Sequence, residues 1–307
     1  MKKRKVYPGK MHHIYQRSHD GGLLFYSKTD CLVFFTIFCT VAERMEIPVA
    51  ALCLMPDHVH QVIVATNRQR LADFQKEYSR LFAREWNLSR DRKGQVFRHN
   101  FGSAGKWGDK QIRTTLAYNY NNPVERALCT RAEQYPWNFL AYALRPNPFS
   151  AALDETRASR PLRRALKEAR SAQENGSFLR YRQLDRWFSD LNLEEARQLT
   201  DAIVGLWNVV DYPLAASYFD SVESMIRAFR DNTGSEYDIR EERDNWSDDV
   251  YKDFNRILLK DKLIRNIRDI PGLPDSEKEE LAGILGQRTS AHPKQIGKYL
   301  HWHLTTK

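Results

Sequence analysis

The chain has 307 residues, a formal net charge of +9 from 48 Lys and Arg against 39 Asp and Glu, and 42% hydrophobic residues. That is long enough to bury a substantial core and to hold two domains, and the basic balance fits a nucleic-acid or other polyanionic partner. Cys31, Cys39, Cys53 and Cys129 lie in apolar surroundings without paired spacing, which excludes a zinc knuckle or a disulfide frame and suits buried thiols in a reducing compartment. No apolar run reaches the roughly 20 residues of a membrane span. Met1-Lys2-Lys3-Arg4-Lys5 is not followed by an apolar stretch, so no secretory signal is read and a soluble cytoplasmic protein is expected.

In chain order, residues 11–17 (MHHIYQR) alternate as a first strand, His19-Asp20-Gly21-Gly22 has turn chemistry, and residues 23–26 are expected to extend the sheet. Ser27 or Asp30 then caps a helix bearing Leu32, Phe34, Phe35, Phe38, Val41, Ala42 and Met45, which Pro48 closes. Residues 49–55 form a continuous apolar strand, and residues 58–65 its antiparallel partner across a Pro56-Asp57 turn. A second helix over 68–86 buries Leu71, Phe74, Tyr78, Leu81 and Phe82, with Lys76, Arg80 and Arg84 in a basic line on its other side. Residues 94–100 (GQVFRHN) suit a fourth strand, and after a glycine-rich loop Asp109 would cap a third helix over 110–122. The order β-α-β-β-α-β predicts an α+β, ferredoxin-like or RRM-like four-stranded antiparallel sheet with helices on one face.

Two stretches carry chemistry. In Leu54-Met55-Pro56-Asp57-His58-Val59-His60, strand alternation puts His58 and His60 on one side, roughly 7 Å apart at their roots, where they can converge on one metal ion. Read alone, such a pair is more often an ordinary exposed or hydrogen-bonded His-X-His than a ligand pair. In Tyr118-Asn119-Tyr120-Asn121-Asn122-Pro123, Tyr118 and Asn122 share a helix face one turn apart, while Tyr120 points elsewhere. Pro123 disfavours helix at Asn122, so that residue is expected at a helix end or kink. A short amide there could offer an oxygen to a metal while the phenol reaches a phosphate.

Together these residues resemble the IS200/IS605-type single-tyrosine transposases. Met55-Pro56-Asp57-His58-Val59-His60 is similar to that family's His-hydrophobe-His motif. Residues 118–128 with Tyr135-Pro136-Trp137 and Tyr142 are similar to the tyrosine helix and closing region of its REP-associated branch, and His12-His13-Ile14 with Arg17 to its opening strand. The resemblance spans residues 8–146. It implies His58, His60 and Asn122 as metal ligands and Tyr118 as nucleophile, forming a covalent 5′-phosphotyrosine on single-stranded or hairpin DNA. Two departures stand out: many relatives carry Asn at the place of Asp57, and a small or aliphatic residue at Tyr120, which stays the reserve nucleophile. Mixed imidazole and amide ligation suits Mg²⁺ or Mn²⁺ better than a structural zinc. A monomer or a homodimer is compatible with one tyrosine per chain.

Lys2–Lys5, Arg17, the Lys76/Arg80/Arg84 line, residues 90–93 and Arg98 are candidate phosphate contacts. Residues 1–148 are read as the catalytic domain and 149–307 as an all-α C-terminal domain. There, helices are expected at 161–182, 193–207, 214–229 and 247–270, with acidic residues 236–249 as a connection. Residues 276–303 have helix-turn-helix dimensions, with Ser276 as cap and Gln295, Lys298 and Tyr299 on an exposed side, or form a plain packed hairpin. His301-Trp302-His303 is read as incidental. Three other functions rank below the transposase reading: a catalytically silent repeat-DNA-binding module, a replication or mobilisation nickase, and a two-His metallohydrolase.

Overall fold

A computed structural model describes residues 5–98, 101–231 and 246–302. Four strands, β1 (Lys10–Arg17), β2 (Val49–Met55), β3 (His58–Ala65) and β4 (Gly102–Gly105), form one antiparallel sheet in the order β2-β3-β1-β4. This is the expected split β-α-β topology. Helices α1 (Lys28–Arg44) and α2 (Arg68–Leu88) cover one face, and α3 (Gly108–Glu125) packs on the other.

Local chemistry explains most of these boundaries. Ser27 caps α1 in a capping box with Asp30, so two orphan N–H groups are satisfied reciprocally. β2 is buried throughout although it is an edge strand of the sheet, which suits its continuous apolar run. Asn67 caps α2. On β3, Val59 and Ile63 enter the core shared with α1 and α2, while Val62 meets Ile112, Leu116 and Tyr120 of α3.

Three local expectations are corrected. The fourth strand is Gly102–Gly105, whereas residues 94–98 make only a single bridge, Phe97 to Ser18. Val96 and Phe97 instead enter the core, where the Phe97 ring meets Phe34 and Phe82. A side chain at Gly102 would put Cβ 1.9 Å from the Tyr15 ring, so this strand needs glycine to come close. Residues 23–26 do not extend the sheet; the N–H groups of Leu24 and Phe25 both donate to Pro56 O. α3 is capped at Trp107, not Asp109, and runs through Pro123 to Glu125.

After residue 149 the described elements are helical. α4 (Arg160–Glu174), α5 (Tyr181–Ser189) and α6 (Leu193–Trp207) share a core with α1 and α2. α7 (Tyr212–Ala216) and α8 (Val222–Asp231) pack with α3, dividing the expected single helix over 214–229. Between α6 and α7, Asp211 N–H donates to Val49 O, covering the β2 edge. α9 (Val250–Lys260), α10 (Asp275–Arg288) and α11 (Pro293–Leu300) form a third core with Leu23 and Tyr26. The acidic connection falls largely outside the described residues.

The expected exposed side of the last helix is buried instead. Gln295 and Tyr299 are covered, and Lys298 reaches back to Asp57. α10 starts at Asp275 with Pro274 before it, so Ser276 is not the cap.

Candidate active site

His58 and His60 do lie on one face of β3, with ring centres 4.7 Å apart. This is the face covered by α3. The Tyr118 ring stands edge-on to His60 at 5.5 Å and to His13 at 5.6 Å between centres. Asn122, one turn on, places its Nδ2 3.2 Å from His60 Nε2. All four expected residues therefore meet in one place, each nearly enclosed by protein. Tyr15, 37% exposed and 6.4 Å from His60 between ring centres, forms the outward lip.

Tyr120 does not join them. It is fully buried on the apolar side of α3, stacked with Phe229, and its hydroxyl donates to Ala50 O at 3.2 Å. Burial holds its phenol well above the ordinary tyrosine pKa. The 200° turn between residues two apart on a helix has the effect expected of it.

Both strand histidines have Nδ1 engaged; Nε2 is without a partner on His58 and meets the Asn122 amide on His60. Asp57 Oδ1 lies 2.6 Å from His58 Nδ1, and His58 Nε2 is buried with no partner. His60 Nδ1 lies 3.0 Å from His13 Nε2, leaving Nε2 toward Asn122. At His58, Nδ1–H donated outward with Nε2 bare inward is the arrangement that orients metal-ligating imidazoles. Burial, then the neighbouring His58 and His13, holds His60 well below the usual histidine range. Burial, with Lys106 and His58, takes His13 down to about 3. Both are neutral at physiological pH, the state a metal ligand needs.

Residues that the sequence did not single out complete the site. His13 follows His12 on β1, and only the register opposite Val62 shows that it faces His60. Asp57, read as a turn residue, bridges His58 and Lys298; burial would raise its pKa, but His58 and Lys298 outweigh that and hold it well below the carboxylate range. Burial and the Asp57 charge push nearby Asp248 up to about 6. Asn119 has both side-chain amide atoms buried without a partner.

The basic residues divide. Lys76, Arg80, Arg84 and Arg98 are exposed, although Arg80 pairs with Glu77. Arg90 is instead buried against Asp30 at 2.7 Å, and Arg92 lies 3.5 Å from Asp20. His301 is also structural: its ring meets Asp20 at 2.7 Å and Leu23 O at 2.9 Å. His303 and residues 2–4 lie outside the described residues.

Among the described residues no three His, Cys, Asp or Glu side chains group as a cation site, so a third protein ligand here would be an amide. The donor set nevertheless fits a divalent ion. With imidazole–metal bonds of about 2.1 Å at right angles, two ring centres would stand roughly 4.5 Å apart, close to the separation observed.

No helix among the described residues is long and apolar enough to cross a membrane. No curated protein matches the chain. A solved structure titled as a REP-associated tyrosine transposase bound to a REP hairpin is 14% identical, covering 52% of this chain and 97% of that one with a TM-score of 0.41. Residues 24–122, from the loop before α1 to the third expected ligand, match the family described as IS200-like transposases. That match covers about a third of the chain, the part that holds β2, β3, α1, α2 and most of α3.

Proposed function

We propose that the protein cleaves and rejoins single-stranded, hairpin-bearing DNA by covalent tyrosine catalysis. The observation that carries this reading is the edge-on packing of Tyr118 against His60, beside the bare Nε2 of His58. A silent DNA-binding module has no need for a buried imidazole nitrogen without a partner, which costs about 1–3 kcal/mol.

Tyr118 Oη attacks the scissile phosphorus: the phenol O–P bond forms, the P–O3′ bond breaks, the phenol gives up its proton and the 3′ oxygen takes one. The product is a 5′-phosphotyrosine and a free 3′-hydroxyl, and reversal at another 3′ end rejoins the strand. His58, His60 and Asn122 would hold Mg²⁺ or Mn²⁺, which supplies Lewis-acid polarisation of a non-bridging phosphate oxygen. Asp57 and His13 keep the two imidazoles in the ligating tautomer. Tyr118 is 2% exposed, so substrate entry requires Tyr15 or the α3 face to give way. Residues 1–148 act as the catalytic unit, with the later helices as its buttress. Exposed Lys76, Arg80, Arg84 and Arg98 supply phosphate contacts.

The test is incubation of labelled hairpin oligonucleotides with Mg²⁺ or Mn²⁺, followed by denaturing electrophoresis. A DNA-linked protein band is expected, lost in Tyr118→Phe and in excess EDTA. Binding without an adduct under any condition favours the silent module.

A further inference from the structure

We propose that Lys298, in the last turn of α11, is a positioning residue for His58: through Asp57 it fixes which ring nitrogen is left bare toward the site. The inference rests on reading His58 as a metal ligand.

Three side chains form an unbroken chain into the site. Lys298 Nζ donates to Asp57 Oδ2 at 2.9 Å, and Asp57 Oδ1 accepts from His58 Nδ1 at 2.6 Å. Beyond the ring lies the unpartnered Nε2. The chain runs inward from partial to complete burial, with side-chain exposures of 23% at Lys298, 10% at Asp57 and 1% at His58. Each carboxylate oxygen has one donor, so the carboxylate cannot rotate without breaking a charge-assisted bond. Held this way, it takes its hydrogen bond from Nδ1–H and leaves Nε2 as the ring nitrogen that faces the site. Without the ammonium, the carboxylate of Asp248, of like sign, is still felt by Asp57.

α11 is itself locked to the turn that carries Asp57. Tyr26 OH donates to Tyr299 O at 2.6 Å, and His301 bonds Leu23 O. The next two residues, Leu24 and Phe25, donate their N–H groups to Pro56 O. Gly22 admits the His301 ring, since a Cβ there would stand 2.5 Å from it. The C-terminal helices thus reach the catalytic strand by two routes, one through backbone and one through Lys298. A salt bridge that only joined two elements could sit anywhere on this interface; this one ends on the orienting carboxylate of a candidate ligand.

The experiment uses the full chain, metal-free, with ¹⁵N-labelled histidine. Long-range ¹H–¹⁵N correlations report the His58 tautomer, and Mn²⁺ titration reports affinity. Wild type is expected to show a single Nδ1–H tautomer. Lys298→Met should mix the tautomers and weaken Mn²⁺ binding by about 10–100-fold, the range for loss of an outer-shell partner, and Lys298→Arg should restore both. Should Lys298→Met fail to fold, Lys298→Gln, which keeps a donor without the charge, is read the same way. A folded variant with one tautomer and Mn²⁺ affinity within twofold of wild type overturns the proposal. If His58→Ala abolishes Mn²⁺ binding while the Lys298 variants change nothing, positioning fails and the metal reading survives. If wild type binds no Mn²⁺ but the tautomer still shifts in Lys298→Met, the metal reading fails and positioning stands.

Discussion

The bare Nε2 of His58 makes the metal-free site a place where stability can be gained. That atom is buried without a hydrogen-bond partner, at a cost of about 1–3 kcal/mol. A cation that binds only the folded chain adds RT ln(1 + [M]/Kd), about 2.7 kcal/mol at one hundred times Kd. At roughly 2 °C per kcal/mol, the lower end for large domains, saturating Mn²⁺ should raise the unfolding midpoint by about 5 °C. His58→Ala removes the nitrogen and the bond to Asp57. The recovered cost of about 1–3 kcal/mol and the lost bond of about 1.5–3 kcal/mol oppose each other, so the metal-free variant should stay within about 2 kcal/mol of wild type, and its midpoint should not respond to Mn²⁺. Differential scanning calorimetry with MnCl₂ or EDTA reads both effects. Equal Mn²⁺ increments in wild type and variant would place the cation elsewhere, and no increment in wild type would refute the ligand assignment outright.

Other consequences concern the scaffold. Arg90→Met would leave Asp30 buried with no ion-pair partner, since both side chains of that pair are fully covered; urea unfolding should show a loss of about 3–5 kcal/mol, and a loss under about 1 kcal/mol would contradict full desolvation. Asp248, pushed up to about 6 by burial and the Asp57 charge, binds its proton more tightly folded than unfolded, so its contribution to stability falls as pH rises from about 4 to about 6. Two pH units at 1.36 kcal/mol each give roughly 3 kcal/mol, seen as a difference between wild type and Asp248→Asn; parallel pH profiles would contradict it. Tyr120→Phe forfeits the bond to Ala50 O, should cost about 1 kcal/mol, and should leave the yield of DNA-linked protein unchanged.

What could be read in the sequence was what is encoded locally. Ser27 with Asp30 announces the start of α1, Pro56-Asp57 the turn, and the His58-Val59-His60 alternation the shared face. Tyr118 and Asn122 could be placed together from helical spacing alone. β4 was misplaced because GQVFRHN has strand-forming side chains and GSAG has none. The real strand is selected by what glycine allows, the Tyr15 ring lying across Gly102, and that is a property of the neighbour. Pro123 points to a helix end or a kink at Asn122, and the helix runs on to Glu125; packing of α3 on the sheet overrides the preference for an end there. Lys298 and Asp57 are 241 residues apart, and no pattern in a helix announces a partner at that distance. Of the two forms open to residues 276–303, the packed one is seen: α11 is short, and the side that carries Gln295, Lys298 and Tyr299 is the side that docks.

The most direct measurement is to map the covalent bond. After reaction with a hairpin oligonucleotide and nuclease digestion, tandem mass spectrometry of the tryptic peptide spanning residues 114–126 should place a phosphonucleotide on Tyr118. Attachment at Tyr120, or at a residue outside α3, would contradict the account.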